Sequence, residues 1–154
     1  MANIVVGVDG SAGAERAVAF AVEEARLRGA TLEAVSVWQV KVFAGPGFFQ
    51  AAPPSNELID ALRRVAQDAV DNALEDVDTS GIEVRRAAVA GVPAEVLVDA
   101  AKDADLLVVG SRGLGGFRGL LLGSVSQQCA HHAVCPVAIV PPPGRPRGEH
   151  PEAA

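Results

Sequence analysis

The chain has 154 residues, 49% of them hydrophobic and 21% charged, which excludes a disordered polymer and suffices for one domain with a sizeable core. Its formal net charge of −6 argues against binding to nucleic acid, which needs a basic surface, but leaves open a small anion held by backbone groups. The longest apolar runs, such as 106–109 and 137–140, are far too short to cross a bilayer, and the first four residues lack the basic start of a signal peptide, so a cytoplasmic protein without a membrane partner is expected.

Ile4-Val5-Val6-Gly7-Val8 is a nearly continuous apolar run rich in β-branched residues, the pattern of a strand buried on both faces of a parallel sheet. Ala14, Ala17, Val18, Ala21, Val22 and Ala25 then follow helical spacing, with Ser11 as N-cap and Gly29 as the stop. Residues 31–38 read as a second strand. The stretch from Gln39 to Pro54 holds Gly45, Pro46, Gly47, Pro53 and Pro54 together with Phe43, Phe48 and Phe49, and reads as a long loop. A helix is expected from Ser55, with Leu58, Leu62, Val65, Ala69, Ala73 and Val77 on its apolar face and Gly81 closing the segment. A third strand over 82–89 carries Arg85 and Arg86 and is placed near an edge.

Gly91-Val92-Pro93 opens a third helix with proline in its first turn; Leu97, Ala100, Ala101 and Ala104 form its apolar face. Residues 106–109 are a fourth buried strand. A glycine-dense stretch follows, with Gly110, Gly113, Gly115, Gly116, Gly119 and Gly123. Then come a short helix near 124–132, a fifth strand over 137–140, and a tail from 142 to 154 with little to bury, expected to be disordered. Strands alternate with helices throughout, which means an α/β fold with a mostly parallel sheet and helices on both faces. Ligands of such sheets lie outside the carboxyl ends of the strands, where the strand order reverses.

Cys129 and Cys135 are too few for a disulfide framework and read as buried thiols. The most specific motif is Gly110-Ser111-Arg112-Gly113, nine residues, then Gly123-Ser124. Glycines let backbone approach an anion closely, successive N–H groups form a nest around phosphate oxygens, and Gly123-Ser124 sits where the last helix begins, with free N–H groups and the positive end of its dipole. A P-loop and a dinucleotide G-x-G-x-x-G fingerprint are both missing. Two readings of Asp9 stay open, a ligand contact and a cap of the first helix. Arg112 and Arg118 either neutralise phosphate or are solvated, and Phe48 and Phe49 either cover the ligand or dock their own loop. His131 and His132 are adjacent, poor geometry for a metal, and Asp60, Asp68, Asp71, Glu75 and Asp76 read as a solvated helix face. No catalytic or metal-ligating set emerges.

Val5-Val6-Gly7-Val8-Asp9-Gly10-Ser11, Asp105-Leu106-Leu107-Val108-Val109-Gly110-Ser111-Arg112-Gly113, Leu122-Gly123-Ser124-Val125-Ser126 and Cys135-Pro136-Val137 together resemble the universal stress protein family, in its nucleotide-binding subclass, over about residues 2–141. The resemblance implies an open, Rossmann-like sheet of five parallel strands in the order 3-2-1-4-5. It implies that Gly7 and Asp9 lie near ribose and adenine, and that Val37 contacts the adenine edge. Gly110, Ser111, Arg112 and Gly113 would wrap ribose and phosphates, while Gly123, Ser124, Val125 and Ser126 bind phosphate oxygens. ATP with Mg²⁺ is the implied ligand, and a homodimer through the fifth strand, with Val137 and Ile139, the implied assembly. The activity expected is nucleotide-dependent regulation in the stress response. The alternatives are slow Mg²⁺-dependent ATP hydrolysis or phosphotransfer, and a nucleotide-free interaction module.

Overall fold

A computed structural model describes residues 1–41, 53–113 and 122–142. The Phe48/Phe49 lid, the Arg118 contact, residues 114–121 and the expected disorder from residue 143 onwards therefore lie outside the described residues. Nine elements alternate as expected: β1 (Asn3–Val8), α1 (Ala12–Arg28), β2 (Thr31–Trp38), α2 (Asn56–Glu75), β3 (Val84–Ala90), α3 (Pro93–Ala100), β4 (Leu106–Gly110), α4 (Ser124–His132) and β5 (Val137–Val140). All sheet pairings are parallel and the order is β3-β2-β1-β4-β5.

This order, together with crossover chirality, decides which face each helix covers. From β1 the chain steps outward through β2 to β3, then returns to the other side of β1 for β4 and β5. Right-handed crossovers in opposite directions put their helices on opposite faces. Accordingly Val18, Ala21 and Val22 of α1 and Val70 and Leu74 of α2 pack on one face with Ile4, Val6, Leu32 and Val108. Leu97 and Ala101 and the α4 residue Cys129 pack on the other with Val5, Val35, Leu107 and Val109. The central strands are thus apolar on both sides, and Val5, Val6, Leu32, Leu107 and Val108 are fully buried.

The helix boundaries have local causes. The Ser11 hydroxyl accepts from the N–H of Ala14 at 3.2 Å, and Gly29, at φ 60°, ends α1 in the left-handed region. Ser55 caps α2 in the same way through the N–H of Leu58. One expectation is corrected on α2. Of the expected face, Ala73 is buried and Ala69 and Val77 pack against the core beside Ala66, Val70 and Leu74, whereas Leu58 and Val65 are 45% and 67% exposed. The helix has two apolar stripes, and periodicity alone does not say which one meets the sheet. On α3 the buried residues are Ala94 and Leu97, with Ala101 just beyond, and Ala100 and Ala104 pack at the margin. Cys129 is buried and Cys135 half-buried, both as free thiols. No described helix is long and apolar enough to cross a membrane.

Candidate functional site

Between β1 and β4 the strand order reverses, and there the sheet opens at its carboxyl end into a cleft of about 700 Å³. The rule for open α/β sheets locates ligands at this point. Every expected site residue lines the cleft except Ser111: Gly7, Asp9, Val37, Gly110, Arg112, Gly113, Gly123, Ser124, Val125 and Ser126 all do. Ser111 is buried beneath it.

Ser111 instead joins the two halves of the glycine motif. Its N–H donates to the Val140 carbonyl at 2.9 Å, and its own carbonyl accepts from the N–H of Gly123 at 2.6 Å. The buried Ser126 hydroxyl is 3.1 Å from that same carbonyl and 2.9 Å from the carbonyl of Gly123. A hydroxyl has one proton, so Ser126 spends it inside the protein, fastening α4 to the β4 turn. The start of α4 has no side-chain cap. Its first-turn N–H groups at Ser124 and Val125 sit beside the cleft with the positive end of the helix dipole.

The glycines have separate reasons. A Cβ at Gly110 would come within 3.1–3.2 Å of the Gly13 backbone, so the β4 turn and the start of α1 touch main chain to main chain. A Cβ at Gly7 would meet Leu97 at 2.8 Å, a packing reason independent of any ligand. Among the described residues nothing lies closer than 3.5 Å to an atom added at Gly123, and φ is −73°; neither the described packing nor the backbone demands glycine there.

Asp9 holds Ser11 twice, accepting at Oδ1 from its N–H at 2.9 Å and its hydroxyl at 2.5 Å. The cap of α1 is therefore Ser11, and Asp9 braces it while facing the cleft. Its Oδ2 lies 2.7 Å from where a Gly113 Cβ would stand, so the carboxylate sits against the second glycine turn, across the floor between β1 and β4.

Several lining residues escape the sequence reading. Ser11 and Ser36 contribute hydroxyls; Trp38, Gln39 and Lys41 follow from the end of β2; Leu62, Val65, Ala66 and Ala69 project from α2; Pro93 and Leu97 belong to α3. Lys41 was findable: it is one of two lysines in the chain and stands three residues beyond a strand's carboxyl end. The α2 stripe was visible as apolar periodicity, without a sign that part of it lines a cleft. The charged residues among the described lining are Asp9, Lys41 and Arg112, two cations against one carboxylate in a chain of net charge −6. The cleft therefore departs from the acidic average of the surface in the direction that favours an anion.

The cleft is chemically divided. The β2 and α2 side is mainly apolar, with Val35, Val37, Trp38, Leu62 and Val65 beside Ser36, Gln39 and Lys41, while the β4 and α4 side carries the glycine turns, Arg112 and the open helix start. Strands lie ~4.8 Å apart, so two strand steps separate these sides by about 10 Å.

The universal stress protein family model matches residues 1–141. The chain belongs to the universal stress protein family. A universal stress protein of Mycobacterium tuberculosis is 39% identical over 139 residues, covering 90% of this chain and 45% of that protein. A Thermus aquaticus universal stress protein is 37% identical over 142 residues and is covered to 97%. The chain thus spans about half the length of the mycobacterial relatives and nearly all of the Thermus one. Among solved structures, UspA from Lactobacillus plantarum superposes with a TM-score of 0.76 at 30% identity, covering 90% of this chain and 97% of that one. A universal stress protein in complex with cAMP gives 0.59 at 31% identity, covering 92% and 97%. The Archaeoglobus fulgidus protein in complex with dAMP gives 0.57 at 27%, covering 91% and 98%.

Proposed function

We propose that this universal stress protein is a cytoplasmic regulatory module of the stress response that binds an adenine nucleotide, ATP in particular, in the cleft between β1 and β4. The observation that carries the reading is Gly123. It borders the cleft at the uncapped start of α4, with no packing requirement for glycine among the described residues and none from the backbone. A glycine without such a requirement, at a helix start that offers free N–H groups, fits the close approach of a phosphate. The related proteins seen with cAMP and dAMP support the ligand class.

In this reading the base lies at the β2 side, against Val37, with Gly7 and Asp9 near base and ribose. Gly110, Arg112 and Gly113 wrap ribose and phosphate, the N–H groups of Ser124 and Val125 bind phosphate oxygens, and Ser111 and Ser126 hold those donors in place. Lys41 and Arg112 supply the positive charge. A Mg²⁺ ion carried on the phosphate oxygens finds one carboxylate in the described lining, Asp9, whose Oδ1 is already engaged by Ser11. That fits the habit of Mg²⁺ to use few protein ligands beside substrate phosphates. The homodimer through β5 belongs to the same proposal. Val137 and Ile139 are only half-buried on a strand whose described partner is β4 alone, and a second copy of the strand would satisfy the open edge.

Mass spectrometry of the purified protein after denaturation, with calorimetric titration by ATP and AMP in the presence of Mg²⁺, tests the binding. An eluted adenine nucleotide, or saturable binding near one per chain, is the expected result; neither would leave the cleft without its ligand. Timed phosphate release, with Asp9→Ala as control, separates binding from slow hydrolysis. A scattering mass equal to one chain at micromolar concentration overturns the dimer.

A further inference from the structure

The apolar end of the cleft holds one aromatic side chain among its described lining residues, Trp38, the single tryptophan of the chain. Its backbone is pinned: the Trp38 carbonyl accepts from the N–H of Gly91 at 2.9 Å, tying the end of β2 to the turn after β3. Its ring is covered on one side by the Arg63 guanidinium from α2, 5.7 Å from the ring centroid, within the range of cation–π attraction. Among the described residues Arg63 has one loose acidic partner, Asp60, at 3.8 Å with both side chains about half-exposed or more, a pair that holds its charge weakly. The indole N–H is shut off from solvent and has no hydrogen-bond partner among the described residues. Turning the ring therefore breaks no hydrogen bond to a described residue.

We propose that Trp38, braced by Arg63, is the specificity element of the cleft. Its indole stacks on the flat base of the bound nucleotide, so that the site selects ligands with an aromatic ring over sugar phosphates that lack one. This rests on the nucleotide reading above and extends it to two residues that the glycine motif does not include. The chemistry is that of a stacking platform. A π-face accepts any base, the guanidinium holds the opposite face, and Leu62 and Val65 close the same end with apolar surface.

The single tryptophan makes the test direct. Wild-type protein is titrated with AMP and with ribose 5-phosphate while tryptophan emission is followed, and affinities are measured by calorimetry for wild type, Trp38→Ala, Trp38→Phe and Arg63→Gln. AMP is expected to change the emission and ribose 5-phosphate to leave it unchanged. Trp38→Ala is expected to weaken AMP by about tenfold or more, Trp38→Phe to restore most of that loss, and Arg63→Gln to cost a few-fold. A folded Trp38→Ala that binds AMP like wild type overturns the proposal, as does a wild-type emission change that ribose 5-phosphate reproduces. If Trp38→Ala does not fold, Arg63→Gln decides, since that side chain is half-exposed: unchanged emission on AMP addition with unchanged affinity overturns the role of the pair. Wild-type protein that binds neither AMP nor ATP removes the nucleotide reading itself. Wild-type binding without sensitivity to Trp38 removes only this inference.

Discussion

Gly123 offers the sharpest separation of binding from folding. An alanine Cβ there meets Arg112 Cα and the Ser111 oxygen at 3.5 Å and the Gly113 nitrogen at 3.6 Å, ordinary contact distances, at a φ of −73° and ψ of 167° that any residue adopts. Replacing glycine at a compatible backbone position gains about 0.4–1 kcal/mol through the unfolded chain. Alanine is a poorer N-cap than glycine by an amount of the same order. The two terms oppose each other, so Gly123→Ala should melt within a few degrees of wild type. The ligand feels a different effect. In the proposed binding mode, a side chain at this position crowds the phosphate beside the N–H groups of Ser124 and Val125. Hydrogen bonds to a charged group are worth roughly 1.5–3 kcal/mol each, so losing one and straining the other costs about 2–4 kcal/mol, or about 30-fold to several hundredfold in affinity. Gly123→Leu should abolish detectable binding. Thermal melting and calorimetric titration with ATP, run on the same preparations, check both halves. A folded Gly123→Leu that titrates like wild type would refute the claim that main-chain amides at α4 carry the phosphate.

Ser126→Ala removes the buried hydroxyl that joins α4 to the β4 turn and should cost about 1–2 kcal/mol of stability, read as a lowered melting temperature even without nucleotide. Gly110→Ala drives a Cβ to 3.1 Å from the Gly13 backbone, which cannot yield as a flexible side-chain end can; a loss of about 1–3 kcal/mol is expected in denaturant unfolding. Lys41→Gln and Arg112→Gln should each weaken ATP more than adenosine, with a shallower salt dependence than wild type, because their contribution is to charge; equal losses for both ligands would place them elsewhere. Burial raises the thiol pKa of Cys129, and of Cys135, where its own N–H and that of Leu107 oppose the effect. A raised thiol pKa lowers the thiolate fraction at any given pH, so maleimide labelling of the native protein should lag a model thiol at neutral pH and accelerate as pH rises. Cys129 should label only on unfolding, and mass spectrometry of labelled peptides reads the order.

Much of this architecture is written locally. The apolar runs at 4–8 and 106–109 commit to strands covered on both faces because they leave no polar face to turn to water. Ser11, Ser55 and Gly29 set helix ends through hydrogen bonds and a φ value reached within a few residues. The spacing from Gly110 to Ser124 was legible as two glycine turns, which the fold brings to one cleft, because a turn of consecutive backbone groups is a property of the chain itself. Other features are settled only when distant segments meet. Which stripe of α2 touches the sheet depends on how the helix is rotated over β2 and β3, and the helical period allows two answers. That Ser111 sits beneath the cleft while Trp38, Lys41 and Val65 line it follows from β2 and α2 being brought beside the β1–β4 opening, between residues far apart along the chain. Gly7, which the family resemblance places near the ligand, lies within β1, and the described contact that disfavours a side chain there is Leu97, some ninety positions later. Hydrogen bonds and backbone preferences act over a few residues and can be read in order. Packing, exposure and the balance of charge inside a cleft are sums over neighbours in space, and only the folded sheet brings those neighbours together.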